Sequence, residues 1–186
     1  MYFKKQGDVP PVSAVGWGPD GRYACMKRSD KILRVDLKTG QEEVLYQTPP
    51  DDVLGGVVVA PDGRSIAFNV FVRRENQFRL FVIPSGGGAL RDLVSATARV
   101  VPGGWTRNGR QLLFVRTTAD ETNGKHIGEL WAVPFEGGSA RSLGLTTPAL
   151  RDVSVSPLGD RIAFTSGYPD KGIWVFKNFL PQTASR

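Results

Sequence analysis

Residues 60–68 read APDGRSIAF, and residues 156–164 read SPLGDRIAF. Two more stretches follow the same pattern, GPDGRYACM from residue 18 and TRNGRQLLF from residue 106. Their turn glycines are Gly21, Gly63, Gly109 and Gly159, so the pattern recurs after 42, 46 and 50 residues. Self-similarity at such a period is typical of a repeat protein in which each copy is one structural unit.

Each repeat reads as a group of β-strands. Pro-Asp-Gly and Asn-Gly favour tight turns, and Asp20 and Asp62 are predicted to hydrogen-bond to the turn backbone. The stretches after the turns (SIAFNVF, QLLFVRT) are rich in branched and aromatic residues, and a third apolar run follows (LFVI, LWAV, IWVF). A Gly-Gly turn and a short closing strand such as ALRDLV complete the unit. Four tryptophans fall at strand positions and are predicted to pack between units: Trp17, Trp105, Trp131 and Trp174.

Four short strands per repeat of this length are the sequence signature of a β-propeller blade. We therefore predict an all-β fold, a β-propeller of four blades with about four antiparallel strands each. The blades are expected at approximately residues 12–48, 55–95, 100–146 and 152–180 of a single domain, residues 1–186. From turn glycine to third-strand leucine the distance grows from 12 to 17 to 21 residues, so the length variation is predicted to lie in one loop per blade.

The fourth repeat shows three strands, ending near Phe176, where the others show four. The first residues, MYFKK, could supply the missing outer strand, or residues 177–181, KNFLP, could cap the blade. Four blades are the low end of the propeller range. Three arrangements therefore stay open: part of a larger propeller, a natural four-bladed ring, or half of an eight-bladed ring formed by a homodimer.

The repeat resembles that of TolB-type, or WD-like, propellers, whose blades carry Ser-Pro-Asp-Gly-Lys/Arg-x-Ile-Ala-Phe, then Ile-Trp/Tyr-Val, then Gly-Gly and a closing Leu-Thr. The matching stretches are APDGRSIAF, LFVIPSGGGALRDL, LWAVPFEGGSARSL and SPLGDRIAF with GIWVF, between Val12 and Phe176. Arg107-Asn108 in the third repeat and Leu158 in the fourth depart from the pattern. The resemblance implies a bacterial source, a protein or peptide partner, and a periplasmic or extracellular location. The chain as written shows no signal peptide, which favours the cytoplasm instead.

The residues form no catalytic constellation that we can identify. GGGAL, GGSAR and TSGYP all miss the G-x-S-x-G nucleophile elbow, and a Walker-type phosphate loop is absent. With one histidine, His126, and one cysteine, Cys25, a zinc site is not expected. ADETNGK, residues 119–125, lacks the full pattern of an EF-hand calcium loop. We predict no enzymatic activity, no metal and no cofactor, and a buried structural role for Cys25.

The charge pattern favours a solvated surface over a nucleic-acid site. The net charge is +6, yet no run of Lys or Arg exceeds two residues and the basic residues are interleaved with acidic ones. No stretch approaches the roughly 18 apolar residues of a membrane span. We therefore predict neither nucleic-acid binding nor membrane insertion.

In a propeller, the loops between the second and third strands and the connections between blades share one face around the channel mouth. Arginine on this face suits carboxylate or phosphate groups, and tyrosine suits a peptide or sugar edge. Lys27 and Arg99 fall on this face. The predicted binding residues are Arg28, Arg73, Arg74, Lys125, His126, Arg151, Tyr168 and Lys171.

The predicted function is a non-enzymatic scaffold that binds a protein or peptide partner through this face. One alternative is the accessory propeller of a larger enzyme, either a prolyl-oligopeptidase-like hydrolase or a receptor-type kinase. Another is a carbohydrate-binding or lyase propeller with its site at the channel mouth.

Overall fold

The computed structural model describes residues 12–119, 124–167 and 172–177, and all that follows concerns these ranges. The one helical segment in them is a 3-10 turn, Arg73–Glu75. The strands are β1 (Val12–Trp17), β2 (Tyr23–Arg28), β3 (Lys31–Asp36), β4 (Glu42–Gln47), β5 (Val53–Val59), β6 (Ser65–Val72), β7 (Gln77–Pro84), β8 (Arg91–Ala96), β9 (Arg99–Trp105), β10 (Gln111–Ala119), β11 (His126–Pro134), β12 (Arg141–Pro148), β13 (Arg151–Val155), β14 (Arg161–Ser166) and β15 (Gly172–Lys177).

Consecutive strands pair antiparallel into four separate sheets, one per sequence repeat. The sheets are β1–β2–β3–β4, β5–β6–β7–β8, β9–β10–β11–β12 and β13–β14–β15. The protein is a four-bladed β-propeller, which confirms the fold class predicted from the repeat. The residues proposed to complete the fourth blade, MYFKK at the start and residues 178–181 near the end, lie outside the described ranges.

The core lies between the blades. Alternate side chains of a strand point to opposite faces, so the second strand of each blade serves two neighbours. A residue facing the following blade shares a buried cluster with two residues of that blade's second strand, and this arrangement repeats three times. The groups are Cys25 with Ile66 and Phe68, Ala67 with Leu112 and Phe114, and Leu113 with Ile162 and Phe164.

The innermost strands β1, β5, β9 and β13 approach one another closely because glycine faces valine at each junction. A Cβ added to Gly16 would overlap the side chain of Val59 in the next blade. A Cβ added to Gly103 would lie 2.8 Å from Cβ of Val153. Gly56 faces Val101 of the next blade in the same way, and a Cβ added to it would lie 3.1 Å from the nearest methyl carbon of Val101. Glycine at these positions therefore sets the spacing between blades.

The turns between the first and second strands use the chemistry that the sequence predicted. Asp20 Oδ1 accepts a hydrogen bond from the backbone N–H of Arg22 at 3.0 Å, and Asp62 Oδ1 accepts one from Arg64 at 2.9 Å. Asn108 does the same for Arg110 at 3.0 Å. These bonds hold the turns in shape, which confirms the structural role predicted for the two aspartates.

The length variation is distributed differently from the prediction of one variable loop per blade. The second and third strands have 6 residues each in blade 1, 8 each in blade 2 and 9 each in blade 3. Much of the added sequence therefore extends the hairpin itself. Continued pairing of the two strands gives the added backbone N–H and C=O groups hydrogen-bond partners, which a longer loop would not provide.

The outer side of blade 4 is exposed where the other blades are covered. By strand register, Ile173 corresponds to Leu80 and Leu130, which the following blade buries completely. Ile173 is 83% exposed and Trp174 is 58% exposed. Trp17, on β1, is 64% exposed as well. The prediction that tryptophans pack between blades is correct for Trp105 and Trp131, which pack in the cluster between blades 2 and 3, and wrong for Trp17 and Trp174, whose side chains are mostly exposed.

Blade 1 also contains two buried groups that can ionise, the thiol of Cys25 and the carboxyl group of Asp36. Cys25 is free and buried, as predicted, and burial raises the pKa of its thiol. Asp36, at the end of β3, accepts hydrogen bonds from the backbone N–H groups of Thr39 at 3.0 Å and Lys38 at 2.8 Å. Nε of Arg22 donates to its other oxygen at 2.9 Å. These hydrogen bonds, that from Thr39 first, hold the pKa of Asp36 below its ordinary value.

We predict that Gly63→Ala destabilises the protein more than Gly109→Ala. Both glycines have positive φ, +70° and +67°, so both substitutions carry the left-handed cost of about 1–2 kcal/mol. A Cβ at Gly63 would also lie 2.5 Å from the backbone nitrogen of Pro19 in blade 1, whereas nothing lies within 4 Å at Gly109. The added overlap should cost a further 1–3 kcal/mol, roughly. Thermal melting of the two variants measures the difference, and equal melting temperatures would contradict the turn-to-turn contact.

We predict that Asp36→Asn lowers the melting temperature at pH 7, because asparagine loses the charge that Arg22 and the turn N–H groups stabilise. The pKa of Asp36 is lowered by folding, so its contribution is complete above the unfolded value of about 3.9. It is lost as the pH falls through the lower folded pKa. The difference in melting temperature between the natural protein and the variant should therefore become smaller as the pH falls into the acid range. A gap that stays constant from neutral pH to about pH 2 would contradict this role.

Candidate functional site

A cavity of about 980 Å³ opens at one end of the central axis, on the face that carries the blade connections and the turns between second and third strands. We call this the mouth cavity and its side of the protein the loop face. A smaller cavity of about 480 Å³ opens at the other end. Val57, Val58 and Gly103 line both, so the two cavities belong to one axial channel.

The mouth cavity is basic. Lys27, Arg99, Arg116 and Arg151 line it, from β2, β9, β10 and β13 respectively. Among the described lining residues, Asp152 supplies the one carboxylate. The local charge balance is therefore strongly positive, in contrast to the mixed surface that the sequence suggested.

Lys27 is fixed in place by the backbone of the next blade. Its Nζ donates hydrogen bonds to the carbonyl oxygens of Leu54 at 2.7 Å and Gly55 at 2.9 Å. Burial lowers the pKa of Lys27. The ammonium therefore joins blades 1 and 2 and adds positive charge at the cavity wall, and no described carboxylate forms an ion pair with it.

The three arginines of the cavity have no carboxylate partner among the described residues. The guanidinium of Arg116 lies over the ring of Trp131, 5.4 Å from its centroid, and its Nε is buried without a hydrogen-bond acceptor. Arg99 and Arg151 are exposed at the first positions of β9 and β13. Guanidinium groups of this kind are ready donors for a carboxylate or phosphate group.

The cavity also has an aliphatic wall. Val57 and Val58 of β5 and Val101 of β9 contribute to it from the inner strands. Ala149 and Leu150 contribute from the connection between blades 3 and 4. Apolar walls with a few charged groups are the usual composition of a ligand pocket.

The loop face concentrates backbone strain. In the described residues, five non-glycine residues have positive φ, and all five lie on this face. Ser29, Asp51, Asn76 and Ala149 are in turns or connections, and Asp152 is the second residue of β13. Ala149 and Asp152 line the mouth cavity, and Asp152 accepts a hydrogen bond from Thr165 Oγ1 at 2.8 Å. Such conformations cost about 1–3 kcal/mol each and gather at functional sites. On the opposite face, the turns between first and second strands use glycine instead.

The structure separates the predicted binding residues into groups. His126 and Arg151 line the mouth cavity, as do Lys27 and Arg99. Lys125 is exposed beside His126. Arg28 instead makes a bidentate ion pair with Glu42 inside blade 1, at 2.6 and 2.7 Å.

Arg73 and Arg74 lie in a different groove, between blades 1 and 2. Arg73 Nε donates to the carbonyl of Asp51 at 3.0 Å, and Arg74 lies 3.4 Å from Glu75. Tyr168 and Lys171 lie outside the described residues. The sequence reasoning missed Arg116, although a lone charge inside the apolar run QLLFVRT could have drawn attention to it.

Within residues 12–119, 124–167 and 172–177, no three His, Cys, Asp or Glu side chains come together as a metal site would require. The same ranges hold no helix long and apolar enough to cross a membrane. Most of the ADETNGK segment lies outside them.

Solved structures with the same architecture include a protein assigned as TolB from Agrobacterium tumefaciens, with a TM-score of 0.72 and 19% identity over 90% of this chain and 58% of that one. The fold is that of a TolB-type β-propeller. TolB from Acinetobacter baumannii matches with a TM-score of 0.70 and 17% identity, over 90% of this chain and 41% of that one. Oligogalacturonate lyase from Vibrio parahaemolyticus matches with a TM-score of 0.67 and 17% identity, over 88% of this chain and 49% of that one.

The chain spans about half the length of these solved structures. No protein-family model matches its sequence, and no curated protein does. At identities below 20% the likeness shows the fold. The same fold serves both TolB and a lyase, so function has to be argued from the site itself.

Proposed function

We propose that this chain is a non-enzymatic β-propeller that binds a protein or peptide partner through the mouth cavity. The observation that carries the proposal is the meeting of unpaired arginines with an aliphatic wall in a cavity of about 980 Å³. That volume is suited to a short peptide segment or an inserted loop. The likeness to TolB proteins and the strained backbone of the loop face support the same reading.

The lining chemistry supports binding over catalysis. His126, Asp152 and the arginines are the titratable or charged groups of the described wall apart from Lys27. Asp152 is engaged by the Thr165 hydroxyl, and the arginines stay protonated at all physiological pH values. General acid–base catalysis needs a group that exchanges protons near neutral pH, in reach of a second. His126 is the one imidazole of the described lining, and Asp152 is bonded to Thr165 and not to it. Electrostatic and apolar contacts, in contrast, are available from every side of the cavity.

We predict that peptides selected from a phage-displayed library on the natural protein lose binding when the cavity is narrowed by Thr97→Trp. Thr97 is exposed and lines the cavity, so the indole would occupy its opening. Fluorescence anisotropy should show the dissociation constant rising by at least about tenfold. Gln41→Trp, in an exposed turn on the opposite face, is the matched control and should leave binding unchanged.

Two outcomes would count against the proposal. The first is a library selection that enriches no peptide. The second is peptides that bind the Thr97→Trp variant as tightly as the natural protein, which would move the site elsewhere.

We also propose that two copies of the chain associate through the exposed side of blade 4. Ile173 and Val175 stand where Leu80 and Val82 pack against a following blade, yet they are 83% and 61% exposed. The three internal junctions show what covers such a side, namely the face of another blade. A second copy of this chain carries blade faces of the required kind, and an apolar patch of this kind marks an interaction site.

We predict that light scattering on a sizing column gives a dimer mass at micromolar concentration and that Ile173→Ser shifts the protein toward the monomer. Leu158→Ser removes another exposed apolar side chain, 67% exposed, from a turn at the opposite end of the blade. That control should remain dimeric. A natural protein that is monomeric at every concentration tested would refute the association.

A further inference from the structure

The arginines of the mouth cavity differ from several others in the protein. Some arginines on the blades have a close carboxylate: Arg22 with Asp36, Arg28 with Glu42 and Arg34 with Glu43 are pairs at 2.5–2.9 Å. Arg79 has two such partners, Glu75 and Asp92. At the mouth, the described residues bring three arginines and a lysine together around a single carboxylate. From this imbalance we infer that the mouth cavity binds an acidic, aliphatic peptide segment, whose carboxylates are received by Arg99, Arg116 and Arg151.

This inference rests on the proposed function and adds the chemical class of the ligand. Gathering like charges in one cavity is unfavourable without a counter-charge, and the interior of the channel screens them less than bulk water does. Lys27 cannot move away to relieve the repulsion, because two carbonyl oxygens of β5 hold its ammonium. Arg116 is likewise held against Trp131. An anionic ligand would therefore gain from charges that are already in place, with little ordering cost.

The placement of the arginines suits an extended chain. Arg99 and Arg151 begin the neighbouring inner strands β9 and β13 and are both exposed at the opening. Arg116 is farther along the wall on β10, with its guanidinium over the ring of Trp131. A segment with several carboxylates could contact the three in succession. Each contact would be a charge-assisted hydrogen bond, the stronger class.

The aliphatic wall decides which anion fits. Val58, Val101 and Leu150 lie between the cationic positions, so a ligand has to place apolar groups next to its charges. A peptide that alternates acidic and aliphatic side chains does so. A phosphate ion or a nucleic-acid backbone would leave this wall without a partner.

The test uses two fluorescein-labelled octapeptides, VEPVEPVE and VQPVQPVQ, which have the same shape and differ in charge. Fluorescence anisotropy at low salt should give at least about tenfold tighter binding of the glutamate peptide, and raising the salt should weaken it. The double variant Arg99→Gln/Arg151→Gln should remove the difference between the two peptides. The matched control, Arg64→Gln/Arg141→Gln, removes the same net charge from exposed positions away from the cavity and should preserve the difference.

The outcomes separate this inference from the proposed function. Equal binding of the two peptides, with Thr97→Trp still blocking both, would overturn the carboxylate assignment and leave partner binding intact. No binding of either peptide, together with an empty library selection, would overturn both. Equal losses in the two double variants would show a general charge effect, and tighter binding of a labelled oligothymidylate would assign the cavity to nucleic acid. Either result would refute the inference.

Discussion

The close approach of glycine and valine along the inner strands is the contact on which the rest of the structure depends. Gly16 faces Val59, Gly56 faces Val101, and Gly103 faces Val153, so one blade after another is set at the same short distance. A side chain at any of these glycines would push two blades apart. The inter-blade clusters around Phe68 and Phe114 would then lose their packing, because cores close-packed at crystal density tolerate little displacement.

With the blades fixed in this way, the two faces of the protein have different roles. On one face, hairpin turns with glycine at positive φ repeat almost unchanged, and their side chains serve the backbone. On the other face, the turns differ in length and composition, and non-glycine residues are held in left-handed conformations. The arginines of the mouth cavity, Arg99, Arg116 and Arg151, lie on this second face. A rigid, repetitive frame thus supports a variable surface, as in many folds that bind ligands through loops.

The repeat in the sequence was sufficient to predict the blades, because turn chemistry and strand patterning are local properties. The identity of the loop face and the presence of Arg99, Arg151 and His126 there also followed from topology. The pairing of individual charges did not. Arg28 and Arg151 look alike in the sequence, yet Glu42 neutralises the first by strand register and nothing described neutralises the second. Arg116 escaped notice because its place in the cavity lining depends on how the blades pack together, which the sequence does not show.

The inner strands also pack in the order in which they are synthesised, β1 with β5, β5 with β9, and β9 with β13. Each junction therefore joins segments that are neighbours along the chain, and a blade can dock on its predecessor as soon as it has left the ribosome. Assembly needs no search between distant parts of the polypeptide, which keeps the entropic barrier to folding low for an all-β protein. Folding can then proceed from the N-terminus to the C-terminus, because each folded blade offers the surface on which the next blade packs.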